Sequence, residues 1–175
     1  MALKGKRVLI FAANLYEELE LWYPKIRLEE EGVVTVVAGV GDQTCLGKRG
    51  SYPVTPDAHV DAVEAQDCDG LVIPGGYAPD LLRRNRKVLT LTREIFEAGK
   101  PVGFICHAGW VPISAGILKG RRGTSVGAIR DDLINAGMRW EDSPVVVDGN
   151  LISSRTPADL GHFMRAFLAA LGRGD

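Results

Sequence analysis

Cysteine is scarce in this chain: three in 175 residues, Cys45, Cys68 and Cys106. An odd number in no paired-ligand spacing excludes a disulfide framework and a zinc site, and fits a reducing cytoplasm with neither metal nor cofactor. Long apolar runs are also missing, and none approaches the roughly 20 residues that span a bilayer. Positive charge is nowhere concentrated. The 21 basic and 22 acidic residues leave a formal net charge of −1, and no basic run outgrows a pair such as Lys48-Arg49 or Arg121-Arg122. A nucleic-acid partner is therefore not expected. The opening Met1 to Arg7 leads straight into a strand-like run without a small-residue cleavage site, so it does not read as a leader. Repeats and low-complexity segments are absent, and residues 1–175 suit one domain, since a second would have almost no core.

What is present is an alternation of buried strands and amphipathic helices. Val8 to Ala12, Val33 to Ala38, Gly70 to Ile73 and Pro101 to Ile105 are short apolar runs of the kind buried on both faces of a sheet. A helix is expected from about Glu18 to Glu31, stopped by Gly32. Val88, Leu91, Thr92 and Ile95 mark one face of another, ending at Gly99. Residues 39 to 56 read as a loop or hairpin excursion. Helical segments are expected from His107 to Ala115 and from about Val126 to Ala136. Val145 to Val147 and Leu151 to Ser153 flank the hairpin signal Asp148-Gly149-Asn150. The last helix starts with Thr156 as N-cap, Pro157 in the first turn and Asp159 in a capping-box-like position. Together these predict an α/β fold with a mostly parallel sheet covered on both faces and ligands at the carboxyl ends of its strands.

Cys106 follows the strand ending at Ile105, at a sharp strand-to-helix turn. A side chain there stands near the free N–H groups of a helix start, which lowers a thiol's pKa and makes the nucleophilic thiolate. A small buried residue is the plainer reading of a lone cysteine. Pro74-Gly75-Gly76 ends a neighbouring strand, and its glycines let backbone N–H groups approach a developing oxyanion, or simply form a turn. His107 has the right pKa for acid or base work, although consecutive residues point in different directions. Glu17, Glu18 and Glu20 follow the first strand, so one carboxylate could reach the thiol. Glu18 and Glu20 read as solvated first-turn residues that complement the helix dipole. Asp80 reads as a helix cap, Cys45 and Cys68 as structural, and His59 and His162 as surface or packing residues.

At these positions the chain resembles the PfpI intracellular protease family of the ThiJ/PfpI superfamily, within the class I glutamine amidotransferase-like fold. The matching pieces are the runs 13–21, 74–80, 105–107, 113–116, 131–137, 145–150 and 153–160, which occur in family order over nearly the whole chain. The resemblance implies a flavodoxin-like three-layer sandwich with the nucleophile Cys106 on an elbow and His107 as its partner. It also implies Glu17 as the carboxyl that bonds the thiol, and Gly75 and Gly76, with the His107 backbone, as the oxyanion site. Asp80 stands where the protease branch has a glutamate supplied by a neighbouring subunit, so a homo-oligomer of two or more copies is implied. Ala108-Gly109-Trp110 departs from the usual Gly-Pro after the histidine. The implied function is a stress-related cysteine hydrolase of the peptidase kind. A glyoxalase or deglycase acting on reactive dicarbonyls and a non-enzymatic redox-sensing chaperone are the alternatives. A glutamine amidotransferase is excluded, because no His-x-Glu pair follows the cysteine.

Overall fold

The structure, a computed structural model, describes residues 3–41 and 43–173; Met1 and Ala2 of the opening run lie outside the described residues. In chain order the elements are β1 (Arg7–Ala12), α1 (Glu18–Glu30), β2 (Val34–Gly39), β3 (Ala58–His59), β4 (Gly70–Ile73), α2 (Ala78–Leu82) and α3 (Arg86–Glu97). There follow β5 (Val102–Ile105), α4 (Trp110–Ala115), β6 (Arg122–Gly123), α5 (Arg130–Asn135), β7 (Arg139–Trp140), β8 (Val145–Asp148), β9 (Leu151–Ser154) and α6 (Leu160–Leu171).

Seven strands form one sheet in the order β3-β2-β1-β4-β5-β9-β8, parallel except for the β8–β9 hairpin. Val8 to Ala12 of β1 are wholly buried, as the unbroken apolar runs require of strands covered on both sides. Helices α1 and α6 pack together, as do α3 and α4, and these pairs form the outer layers. Gly103 sits where a Cβ would lie 2.8 Å from the Phe163 ring, so its missing side chain lets Phe163 and Phe167 of α6 settle onto β5. Fully burying each ring contributes roughly 1.5–3 kcal/mol. This is the α/β sandwich that the sequence predicts.

Local detail differs in two places and agrees in one. The two-residue strands β3, β6 and β7 are too short to leave a periodic signal. Residues 39 to 56 do fold back as a hairpin, with Cys45 and Val54 exchanging backbone hydrogen bonds at 2.8 and 2.9 Å. The capping box expected at Thr156 does not form: the Thr156 side chain makes no cap bond, and the Asp159 carboxylate instead accepts from Arg155 Nε at 2.9 Å. Charge pairing outcompetes the cap.

Because β1, β4 and β5 run parallel, the segments that follow them meet at one edge of the sheet. Residues 13–17, 74–77 and 106–109 are thereby collected into one site. Among the described residues no helix is long and apolar enough to cross a membrane, and no cluster of His, Cys, Asp or Glu could hold a metal ion.

Candidate active site

The chain leaves β5 extended at Ile105 and turns at Cys106, whose φ of 62° is left-handed. For a residue with a Cβ this conformation costs roughly 1–2 kcal/mol, a strain typical of functional turns. Residues Cys106–Gly109 form a 3₁₀ turn that feeds α4. The kink overcomes the obstacle posed by adjacency, since His107 Nδ1 lies 3.3 Å from Cys106 Sγ. The sulfur is nearly buried. Its close neighbour is Gly75, where a Cβ would come within 2.8 Å of Cys106 Cβ and 2.5 Å of Glu20 Oε2. Only glycine fits there.

Three glutamates at the start of α1 go to three destinations. Glu20 is wholly buried, and its Oε2 accepts the Gly75 N–H at 2.8 Å. Its carboxyl interacts with the Cys106 thiol. Glu17 is also buried, but its carboxylate pairs with Lys48. Glu18 Oε1 accepts the Arg49 N–H at 2.9 Å and the Ser51 hydroxyl at 3.2 Å, pinning the hairpin excursion. Burial opposes ionisation of Glu18, yet these donors hold its carboxyl below the ordinary value. Two expectations are thereby corrected. The carboxyl at the thiol belongs to Glu20, not Glu17, and Glu18 and Glu20 are not solvated. Glu17 has extended backbone before the helix begins, whereas Glu20 lies a turn inward over the sheet end.

Electrostatics correct a third. Burial, and then the facing Glu20, push the Cys106 thiol up to about 12; the N–H groups of His107 and Gly76 act in the opposite sense. The turn alone therefore does not produce a low-pKa thiol. Burial likewise raises Glu20 to about 8, partly offset by the Gly75 N–H. Near neutrality Glu20 is thus mostly a neutral acid, its repulsion of a thiolate removed and its proton available to share with sulfur. His107 is lowered by burial and by the nearby Lys48 charge, which favours neutral imidazole. Burial raises Cys45 and Cys68 too, and both are structural in setting.

The signature of the DJ-1/PfpI family matches residues 6–170. The chain belongs to that family. Deglycase PfpI of Pyrococcus furiosus is 48% identical over 165 residues, 94% of this chain and 99% of that protein. Protein/nucleic acid deglycase 2 of Escherichia coli is 38% identical over 171 residues, 96% and 99% of the two chains. A solved two-domain protein of Anabaena variabilis, with a DJ-1/ThiJ/PfpI-like and a ferritin-like domain, superposes with a TM-score of 0.94 at 38% identity. That match covers 97% of this chain and 49% of that one.

Within this DJ-1/PfpI domain the other expected residues are placed as follows. Gly76 keeps its N–H directed at the thiol, whereas the Gly75 N–H is occupied by Glu20, so Gly75 contributes close approach rather than an oxyanion donor. Asp80 lies in the first turn of α2 with its carboxylate paired to Arg84 rather than hydrogen-bonded to His107. Trp110 meets the His107 ring edge-on at 5.4 Å, donates Nε1–H to Asp132 at 2.9 Å and lies under Arg83. It bounds a cavity of ≈460 Å³ with Arg83, Ile113 and Asp132. A cavity of ≈510 Å³ at the opposite end of the sheet contains none of the site residues. Sequence reasoning missed Lys48, which the hairpin excursion delivers to the site from a stretch with no periodic signal.

Proposed function

We propose that this protein is a cysteine-dependent deglycase or glyoxalase acting on reactive dicarbonyls and their early adducts. The observation that carries this reading is the Glu20 carboxyl, wholly buried against Gly75 and facing Cys106, with burial raising it to about 8. The neutral His107 imidazole, 3.3 Å from sulfur, takes the thiol proton as the sulfur adds to the aldehyde carbon, forming a C–S bond, and the Glu20 acid gives its proton to the carbonyl oxygen. In this reading the Gly76 N–H, directed at the thiol, stabilises the developing oxyanion. Glu20, now a carboxylate, removes the proton from that carbon and returns it to the neighbouring one. With the hydroxyl proton passing from the first oxygen to the second, the aldehyde carbon is oxidised to a thioester and the adjacent carbonyl reduced to a hydroxyl. Water then cleaves the thioester, releasing a 2-hydroxy acid and the thiol, and the proton held by His107 returns to Glu20. An early adduct enters the same sequence when the thiol displaces its amine from the aldehyde carbon.

The names of the close relatives support this reading. Peptide cleavage would require His107 to protonate a leaving amine with an acid orienting it, and Asp80 is engaged by Arg84. That route needs a second copy to supply an acid. Turnover of methylglyoxal and of a fluorogenic peptide by wild type, Cys106→Ala and Glu20→Gln tests the proposal. Lactate released by wild type and lost in both variants is the expected result; peptide hydrolysis alone would overturn it. Sedimentation of the same samples reports whether the chain self-associates.

A further inference from the structure

Three short segments lie side by side above the sheet end: Gly47-Lys48, Tyr16-Glu17 and Gly75-Gly76. Tyr16 bridges Gly47 on one side and Gly76 on the other. The Lys48 N–H donates to Tyr16 O at 2.8 Å and the Glu17 N–H to Gly75 O at 3.1 Å. Two strand steps of about 4.8 Å separate Lys48 from the glycines that abut Cys106, a gap that a long lysine side chain largely spans. The Lys48 ammonium is thereby seated on Glu17, which is 3% exposed, while its own side chain keeps 30% exposure. Glu18 secures the arrangement from outside: a Cβ at Gly47 would collide with its carboxyl, and its oxygen accepts from Arg49 and Ser51.

We infer that Lys48 is a positioning residue of this site: paired with the buried Glu17, it cancels a carboxylate that would otherwise stand in a three-acid cluster with Glu20 and Cys106, and so permits the thiolate to form. A buried carboxylate left without its partner raises the cost of any further negative charge nearby. Lys48 favours ionisation of both Cys106 and Glu20, Glu17 opposes that of Glu20, and Lys48 keeps His107 neutral. In turn Glu17 holds the ammonium firmly protonated. The consequence for turnover rests on the deglycase reading; the consequence for the thiol does not.

The test is the pH dependence of Cys106 alkylation by iodoacetamide, followed by mass spectrometry of the Cys106 peptide. Wild type is compared with Lys48→Met, Lys48→Arg and the double variant Lys48→Met/Glu17→Gln. In Lys48→Met the profile should move up by about one pH unit, making alkylation near pH 7 about tenfold slower. Lys48→Arg should stay close to wild type. The double variant, with both charges gone, should recover to within about threefold of wild type. A Lys48→Met profile that superimposes on wild type overturns the inference. So does a double variant as slow as the single one, because loop packing rather than charge would then be responsible. If Lys48→Met fails to fold, the double variant decides alone on the same criterion. Absence of methylglyoxal turnover in wild type, with the alkylation profiles shifted as expected, would sink the deglycase reading and leave the role of Lys48 standing.

Discussion

Glu20→Gln should stabilise the fold increasingly as pH rises. In the folded chain the Glu20 carboxyl is held at about 8 against an ordinary 4.5, chiefly by burial. Because the folded value is raised, its favourable contribution is complete below pH ~4.5 and is lost as pH climbs through ~8. Over that window the native state keeps a proton that the unfolded chain has released. Stability then falls by about 1.4 kcal/mol per pH unit on account of this one group, or about 5 kcal/mol in all. Glutamine has nearly the same shape, can still accept the Gly75 N–H and cannot ionise. Urea unfolding of both proteins at pH 5.5 and 7.5 measures the effect. The variant's advantage should grow by about 2–3 kcal/mol between the two conditions. An advantage that does not change with pH would mean that Glu20 is an ordinary ionised carboxylate, and the account of a shared proton would fail.

Gly75→Ala should drive its methyl group into both Glu20 and Cys106, destabilising by about 1–3 kcal/mol in urea unfolding and abolishing turnover. Cys106→Gly should be more stable than Cys106→Ala by about 1 kcal/mol, reversing the usual order, because alanine keeps the left-handed strain that glycine relieves; thermal unfolding at one pH compares them. Trp110→Leu should free the His107 ring and lower kcat by about three- to tenfold with little change in KM, the loss of an aromatic contact worth roughly 0.5–1.5 kcal/mol. Asp80→Asn should change dicarbonyl turnover by less than about twofold, since an exposed pair such as Asp80–Arg84 contributes little.

The fold was legible because unbroken apolar runs and amphipathic periodicities are consequences of burial that a single sequence displays. Cys106 was legible for a related reason, since a strand, a polar kink and a helix leave a local trace. The carboxylates were not. Glu17, Glu18 and Glu20 are chemically alike and within one turn of each other, and the first-turn dipole argument applies equally to Glu18 and Glu20. What separates them lies far off in sequence: Gly75 receives Glu20, Lys48 receives Glu17, and Arg49 and Ser51 receive Glu18. The sign of the thiol's shift was hidden for the same reason. It is set by how deeply the turn is buried and by the Glu20 carboxyl, neither of which is a property of the residues beside Cys106.

The two margins of the sheet bear on how copies of this chain can meet. At one margin β3 is only two residues long, paired through Ala58 and His59 and preceded by Pro56, which has no N–H to donate. At the other, β8 lies against the small β6–β7 ribbon, and the Arg122 N–H is taken by Asp148 at its end. A short strand and a covered one leave no long row of backbone donors and acceptors for another chain to extend. Sheet-to-sheet growth is therefore blocked at both margins. Contacts between copies are then left to side chains on helices and loops rather than to open-ended strand addition.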